Sequence, residues 1–441
     1  MAIIIKKERC ISISQLYKKT IDSDIDKYLE KFDQESTELS WDLHELNLPR
    51  CAFGELGLKC TACLQGPCRI NPFSEKEQRG VCGRTKDSMI AENFARYIIS
   101  GLDDFIIDLK NVDLYEKTQK LLTWLNGGLN LPSEELLKET MELSDIVISV
   151  AAQNNFEQKI ENKEITKSDD YIVLVLGKIP QDKLDLFTGK ENTKVYSLLN
   201  EFPYQNVDSL VNYGNQEFIF EKGIPDLLVL GPGCCMPNIL KLAKKYSIPY
   251  KYYYELTESY LSELEKTPSK EGGLSKIESL DTIFNKPNLE RLKNQKIALL
   301  SGCNNIRQTH DEEIYKLVDY LLENNYFILI SGCAALSVAK YFKEYQDRIF
   351  YLGSCYETVK YFELINKLDN PKEVIAVFSE VSQPRITSIA LGIAQHNIPT
   401  YIVTKFLPIP SQSGIEKILA KLNNKLMINY EGNNIRSFIK L

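Results

Sequence analysis

The sequence predicts an α/β protein: an N-terminal helical domain, then two doubly wound parallel-sheet domains. Three observations lead there. Apolar residues recur at helical spacing in the first third of the chain, from Ser14 to Asp33 and from Pro132 to Leu143. Short continuous apolar runs then alternate with amphipathic stretches. Several of those runs are followed almost at once by cysteine, in most cases just after a glycine.

Taken in order, the runs are Tyr171–Leu176, Asp226–Leu230, Lys296–Leu300, Tyr326–Ile330, Ile349–Leu352, Val374–Phe378 and Thr400–Val403. Strands apolar on both faces belong to parallel sheets covered on both sides by helices. The charged stretch Gln158–Asp170 reads as a linker, and Glu263–Asn294, charged and carrying a Gly-Gly pair, as a boundary. The expected division is a helical domain over 1–165 and sheet domains over 166–290 and 291–441.

The chain has 441 residues, a formal charge of −7 and a pI of about 5.4. That balance argues against nucleic acid or an anionic membrane as partner. The opening MAIIIKKERC carries too short an apolar run for a signal peptide or membrane span, so a cytoplasmic location is expected. In that compartment thiols stay reduced, and 11 cysteines read as metal ligands or catalytic groups rather than disulfides. Only 3 histidines occur, His44, His310 and His396, which leaves little material for a histidine relay.

Cys60, Cys63, Cys68 and Cys82 form the first constellation, in GLKCTACLQGPC followed by GVCG. Four thiolates this close suit one [4Fe–4S] cube, and Gly66 and Gly83 let backbone amides approach its sulfides. A structural four-cysteine zinc site is the alternative at this spacing.

The second constellation follows the strands. Cys234 and Cys235 come after Leu227–Leu230, Cys303 after Ile297–Leu300, Cys333 after Phe327–Ile330 and Cys355 after Phe350–Leu352. In open α/β sheets the ligand site lies beyond the carboxyl ends of the strands. Helix N-termini there favour thiolate. A lone cysteine in such a turn is usually a small buried apolar residue. Four in register point to a shared metal site, with Cys235 a weaker member and Cys10 unligated.

These motifs, GLKCTACLQGPCRINPF, GVCG, CCMP, SGCNN, SGCAA and LGSC in that order, resemble the anaerobic nickel-dependent carbon monoxide dehydrogenases, a family sister to the hybrid-cluster proteins. The resemblance runs from about Cys51 to about Ile402, in a chain shortened mainly in its helical domain. It implies two Rossmann-like domains, usually in a homodimer. It also implies a relay [4Fe–4S] on Cys60, Cys63, Cys68 and Cys82. Cys234, Cys303 and Cys333 would hold the iron–sulfur part of an active-site cluster, and Cys355 matches the nickel-binding cysteine. The implied reaction is CO oxidation to CO2, with electrons passed to a ferredoxin-like acceptor.

The departures bear on the chemistry. Where the family binds an extra iron through a histidine, Lys178 stands in LGKIP; where it uses a further cysteine, Val195–Glu201 carries none. The helix-borne histidine relay is missing from AENFARYIISGLDDFIIDLK. The family's catalytic lysine is matched by Arg385, which keeps its charge but does not readily release a proton. Of two cysteines that bridge the dimer through a third cluster, Cys51 matches one and Lys59 replaces the other.

Two functional classes follow, enzyme and electron-transfer protein. The enzyme is an oxidoreductase acting on CO or CO2, or a hybrid-cluster-like reductase of a small N–O substrate in a polar pocket around Lys178, Arg385 and His310. The second class is a non-catalytic electron-transfer or metallocluster-carrier protein with a plain [4Fe–4S] at the second site. Taken singly, Lys178 and His310 also read as surface groups and Arg385 as an ordinary ion-pair partner.

Overall fold

The structure is a computed structural model that describes residues 18–71, 73–109, 111–126, 132–153, 171–188, 190, 192–198, 208–220, 225–258, 284–368, 370–403, 419–422, 425–429 and 434–439. Cys10 and the expected linker Gln158–Asp170 lie outside these residues, as do residues 14–17 of the expected helix Ser14–Asp33 and residues 263–283 of the boundary Glu263–Asn294. The described part of that helix is α1 (Ser23–Gln34), begun by Asp22, whose carboxylate accepts from the Asp24 and Ile25 amides.

Two parallel sheets organise the chain. The first contains β3 (Tyr171–Leu176), β4 (Thr193–Leu198), β5 (Asp208–Val211), β6 (Leu227–Leu230) and β7 (Tyr250–Tyr252), in the order β5-β4-β3-β6-β7. The second contains β8 (Lys296–Ser301), β9 (Tyr326–Ser331), β10 (Ile349–Gly353), β11 (Glu373–Phe378), β12 (Thr400–Ile402) and β13 (Leu426–Ile428), in the order β10-β9-β8-β11-β12-β13. Every pairing is parallel. In each sheet the winding reverses at its first strand, between β3 and β6 and between β8 and β11. Helices on either side of such a reversal diverge and leave a crevice beyond the strand ends.

The apolar runs expected as strands are strands, because each is buried on both faces: β6 and β10 throughout, β3 and β8 in all but their first residue. Strands β4, β5, β7 and β13 were not among them. They are short or carry Lys, Ser and Asp, so their apolar signal falls below what continuous burial would show.

The N-terminal helices pack directly on the sheets. Helix α4 (Lys86–Leu109) and α6 (Ser133–Gln153) flank α13 (Pro384–Gln395), the helix that follows β11, and one apolar core joins all three to faces of both sheets. Small residues permit the contact. Ser388 Oγ donates to the Ile98 carbonyl at 3.1 Å, and Ser144 Oγ donates to the Ser388 carbonyl at 2.6 Å. Gly101 of α4 lies so close to the start of α13 that a Cβ there would stand 2.3 Å from the Pro384 carbonyl carbon. On the first sheet's other side, residues before the cysteine region cover it: Phe218 packs against Tyr28, Phe32 and Trp41.

Gly101→Ala tests this packing. The added methyl gains helix propensity of about 1 kcal/mol, but a clash with backbone costs roughly 1–3 kcal/mol and has no flexible side chain to absorb it. The thermal midpoint is expected to fall; a rise would show that α4 and α13 are not held this tightly.

Candidate metal centres

The first cysteine group is built on a two-residue antiparallel ladder. Strand β1 (Lys59–Cys60) pairs with β2 (Cys68–Arg69), placing Cys60 opposite Cys68. Buried Leu58 and Ile70 anchor its base, the Ile70 amide donating to the Leu58 carbonyl at 3.0 Å. Cys63 comes from the intervening loop, and Cys82 from the loop that precedes α4. All four line one pocket with Gly66, Gly80, Arg84 and Met89.

Donors to sulfur surround it. The Val81 amide lies 3.5 Å from Cys68 Sγ, and Arg84 Nη1 lies 3.2 Å from Cys82 Sγ. Arg84 is held in turn by Glu92, Nε to Oε1 at 2.5 Å. The Arg84 amide lowers the Cys82 thiol pKa most; burial opposes it, and the Arg84 guanidinium adds to the lowering, so the net shift is downward. Such donors favour a thiolate and the sulfides it would ligate. Cys63 and Cys82 are exposed, with Leu64 and Val81 exposed beside them, so this pocket opens to solvent.

The second group is buried. Cys234, Cys303, Cys333 and Cys355 are all less than a tenth exposed, at the carboxyl ends of β6, β8, β9 and β10. They share one electrostatic neighbourhood: burial pushes the Cys333 thiol well up, and Cys303, Cys234 and Cys355 add to the effect. Cys303 moves down, because the Cys333 thiol and the Ser382 and Gln383 amides donate to it. Gly332 makes the last junction. Its positive φ of +62° suits glycine, and a Cβ there would meet Cys355 Cβ at 2.8 Å. Among the described residues no three His, Cys, Asp or Glu side chains form the ligand set of a single ion. All ten described cysteines are free of disulfides.

Arg385 is buried at the start of α13 and donates from Nη1 toward Cys355 Sγ at 3.7 Å. Two phenols border the group. Burial pushes both Tyr213 and Tyr97 up to about 12; the thiols of Cys234, Cys303 and Cys333 add to this at Tyr213, and Cys303 adds to it at Tyr97. Tyr97 sits on α4, the helix whose sequence lacks the histidine relay. Glu380, whose carbonyl accepts the Cys303 amide at 2.8 Å, is fully buried, and burial pushes its carboxyl well above the usual range. No motif marked Tyr97, Tyr213 or Glu380 in the sequence; they are brought in by α4, by the loop after β5 and by the tip of β11.

Other expected site residues lie at the margins. Lys178 is half-buried at the tip of β3, its amide donating to the Pro232 carbonyl at 2.7 Å beside the turn that leads to Cys234. Cys235 is half-buried, with its thiol 3.8 Å from the Met236 carbonyl. Cys51 and Lys59 are exposed.

His310 corrects the expectation of a surface histidine. It is 1% exposed, because the segment after Cys303 folds inward under Trp41. Its Nδ1 lies 3.5 Å from Thr20 Oγ1, and its Nε2 lies 3.3 Å from Asn212 Oδ1. It adjoins Asp311, which has φ of +69° and caps α10 (Glu312–Glu323) without a side-chain cap bond. An aspartate there ordinarily gains about 1 kcal/mol from capping. Here its carboxylate turns inward instead. It accepts from Asn304 Nδ2 at 2.5 Å, Ser337 Oγ at 2.6 Å, Lys340 Nζ at 3.0 Å and Tyr341 OH at 3.1 Å. Burial alone would raise its pKa; the neighbouring His310 and Lys340 and these bonds outweigh it and hold the carboxyl far below the usual range. Lys340 also donates to Asp22 at 2.5 Å.

With this geometry established, known proteins give the context. The Prismane/CO dehydrogenase family model matches residues 58–204 and 200–377. Carbon monoxide dehydrogenase 1 of Methanosarcina mazei is 46% identical over 85 residues, 19% of this chain and 14% of that protein. Carbon monoxide dehydrogenase 2 of Carboxydothermus hydrogenoformans is 42% identical over 83 residues, 19% of this chain and 13% of that protein. The aligned stretch thus spans about a seventh of the first relative's length. Among solved structures, carbon monoxide dehydrogenase IV from C. hydrogenoformans superposes with a TM-score of 0.69 at 17% identity, over 93% of this chain and 96% of that one. The carbon monoxide dehydrogenase from Thermococcus sp. AM4 gives 0.71 at 15% identity, over 93% and 94%. The match covers well over half of the sequence and runs through both cysteine groups: the chain belongs to the Prismane/CO dehydrogenase family.

Proposed function

We propose that this chain is an iron–sulfur oxidoreductase of carbon monoxide dehydrogenase type, with a [4Fe–4S] cluster on Cys60, Cys63, Cys68 and Cys82. A second, modified iron–sulfur centre, with or without nickel, is held by Cys234, Cys303, Cys333 and Cys355. The observation that carries this reading is the burial of four strand-end thiols, from two sheets, in one electrostatic neighbourhood. Their donor chemistry fits iron–sulfur: thiolates, amide donors to Cys303 and a guanidinium on Cys355.

When bound, an iron–sulfur group at the buried site supplies two-electron exchange with a small molecule such as CO or CO2. The chain's own residues shape that exchange. Arg385 keeps a fixed positive charge beside Cys355, suited to orienting a carboxylate-like species and unsuited to proton transfer. Tyr213 and Tyr97 stay protonated near neutral pH and present O–H donors. The first group faces solvent through Cys63 and Cys82, the side from which a ferredoxin-like carrier or a second copy of the chain would reach it. The missing histidine relay costs on the order of 10²–10⁴ in rate for any step needing general acid–base help, so rapid CO oxidation is not expected. His310 is committed to Thr20, Asn212 and Asp311, which weakens the reading of a polar pocket for N–O reduction.

Metal content tests the reading. Anaerobically purified chain is expected to hold about eight irons, falling to about four in Cys333→Ala and separately in Cys63→Ala. About four irons in the unaltered chain, unmoved by Cys333→Ala, would sink the second centre. Nickel together with CO-dependent dye reduction supports the dehydrogenase; two iron–sulfur centres with neither favour the electron carrier.

Arg84→Gln tests the first pocket without metal. In the apo-chain the Cys82 thiol pKa should rise toward the free value of about 8.5. Its alkylation near pH 7.5 should then slow by about threefold to tenfold. An unchanged pH profile would show that the Arg84 guanidinium does not act on this thiol.

A further inference from the structure

Asp311 departs from two local rules at once. It occupies a left-handed backbone conformation and leaves the helix cap bond unmade. What it gains is a set of bonds to the elements that carry two of the strand-end cysteines. Asn304, the residue after Cys303, donates to Asp311 Oδ1, and its own Oδ1 accepts the Asp311 amide at 3.3 Å. Ser337 also donates to Oδ1. It lies one turn along α11 (Cys333–Tyr341), the helix that begins at Cys333, on the same helical face as that cysteine. Lys340 and Tyr341 of α11 hold the other oxygen. Asn304 and Ser337 also meet directly, at 3.3 Å.

The same cluster reaches the sheet that supplies Cys234. Asn212, just after β5, lies 3.4 Å from Ser337 Oγ and 3.3 Å from His310 Nε2. Gln216, a few residues on, donates to the Cys234 carbonyl at 3.2 Å and accepts the Met236 amide at 2.9 Å. The N-terminal segment closes the outer side through Asp22 on Lys340 and Thr20 on His310.

We propose that Asp311 is a positioning residue: its buried carboxylate fastens the Cys303 turn to the Cys333 helix and sets the separation of the two thiols. The inference rests on the proposed second centre. Asp311 and Lys340 form a fixed ion pair, and a locked pair of opposite charges holds geometry better than it passes protons. Among the described residues, the bonds of Asp311 run to Asn304, Ser337, Lys340 and Tyr341 and none to the Cys60 loop, so its effect is expected at the buried thiols.

The test uses the full chain and the variants Asp311→Asn and Ser337→Ala. The first readout needs no metal: alkylation rates of Cys303 and Cys333 in the apo-chain under native conditions. Asp311→Asn is expected to raise both at least tenfold while leaving Cys63 and Cys82 unchanged; Ser337→Ala should act in the same direction, more weakly. The second readout is iron per chain and the spectroscopic signature of each centre. Asp311→Asn should lower occupancy of the buried centre at least twofold, or shift its signature, with the Cys60 centre intact. Unchanged alkylation of Cys303 and Cys333 together with an unchanged buried centre would overturn the proposal, as would equal loss at both centres, the mark of general unfolding. If the unaltered chain binds no second cluster, the function proposed above fails, while the alkylation result still decides the role of Asp311.

Discussion

The proposed function depends on one geometric constraint: two parallel sheets must present their carboxyl edges to each other closely enough for thiols from both to share the second centre proposed above. Parallel strands all end on the same side, and a reversal of winding opens a crevice there. The first sheet contributes Cys234 and the second contributes Cys303, Cys333 and Cys355. Glycine at the turn keeps the junction short, since Gly332 admits the backbone of Cys355 where any side chain would collide. The remaining architecture serves this meeting. Helices α4 and α6 wrap α13 and so fix Arg385, while the N-terminal segment caps the far side through Thr20 and Asp22.

Burying four thiols with charged neighbours is costly unless each charge is paired. The structure meets that requirement in layers. Cys303 receives amide donors, Cys355 faces a guanidinium, and Asp311 behind them is matched by Lys340, which Asp22 in turn stabilises. The first cysteine group follows a different rule. Its pocket opens to solvent through Cys63 and Cys82, and Arg84 and nearby amides polarise it. A solvent-facing group suits exchange of electrons with another protein; an enclosed group suits selection of a small molecule.

Much of this was legible in the sequence because the chemistry is carried by cysteines in motifs and by strands apolar on both faces. The runs at Tyr171, Lys296 and Tyr326 begin their strands as expected, since continuous burial writes itself directly into residue type. Strands β4, β5, β7 and β13 escaped because short or partly polar strands have no periodicity to read. His310 was misjudged for a related reason. Preceding a helix, it looks like an exposed residue, and only long-range partners, Thr20, Trp41 and Asn212, take it inside. No motif marked Asp311; its inward turn shows only in three dimensions.

The character of the buried site follows from which of its groups can change charge. Asp311 is held anionic, Arg385 and Lys340 cationic, and the Tyr97 and Tyr213 phenols protonated. Charges of that kind orient a bound species and set a redox potential. General acid–base catalysis needs a group that exchanges its proton near the working pH, and the helix expected to carry histidines brings Tyr97 instead. The departures from the family's motifs therefore weigh on proton transfer more than on electron transfer. On the proposed reading, thiols, cation and donors for redox chemistry are retained, while the groups that would move protons quickly are replaced by ones that hold theirs.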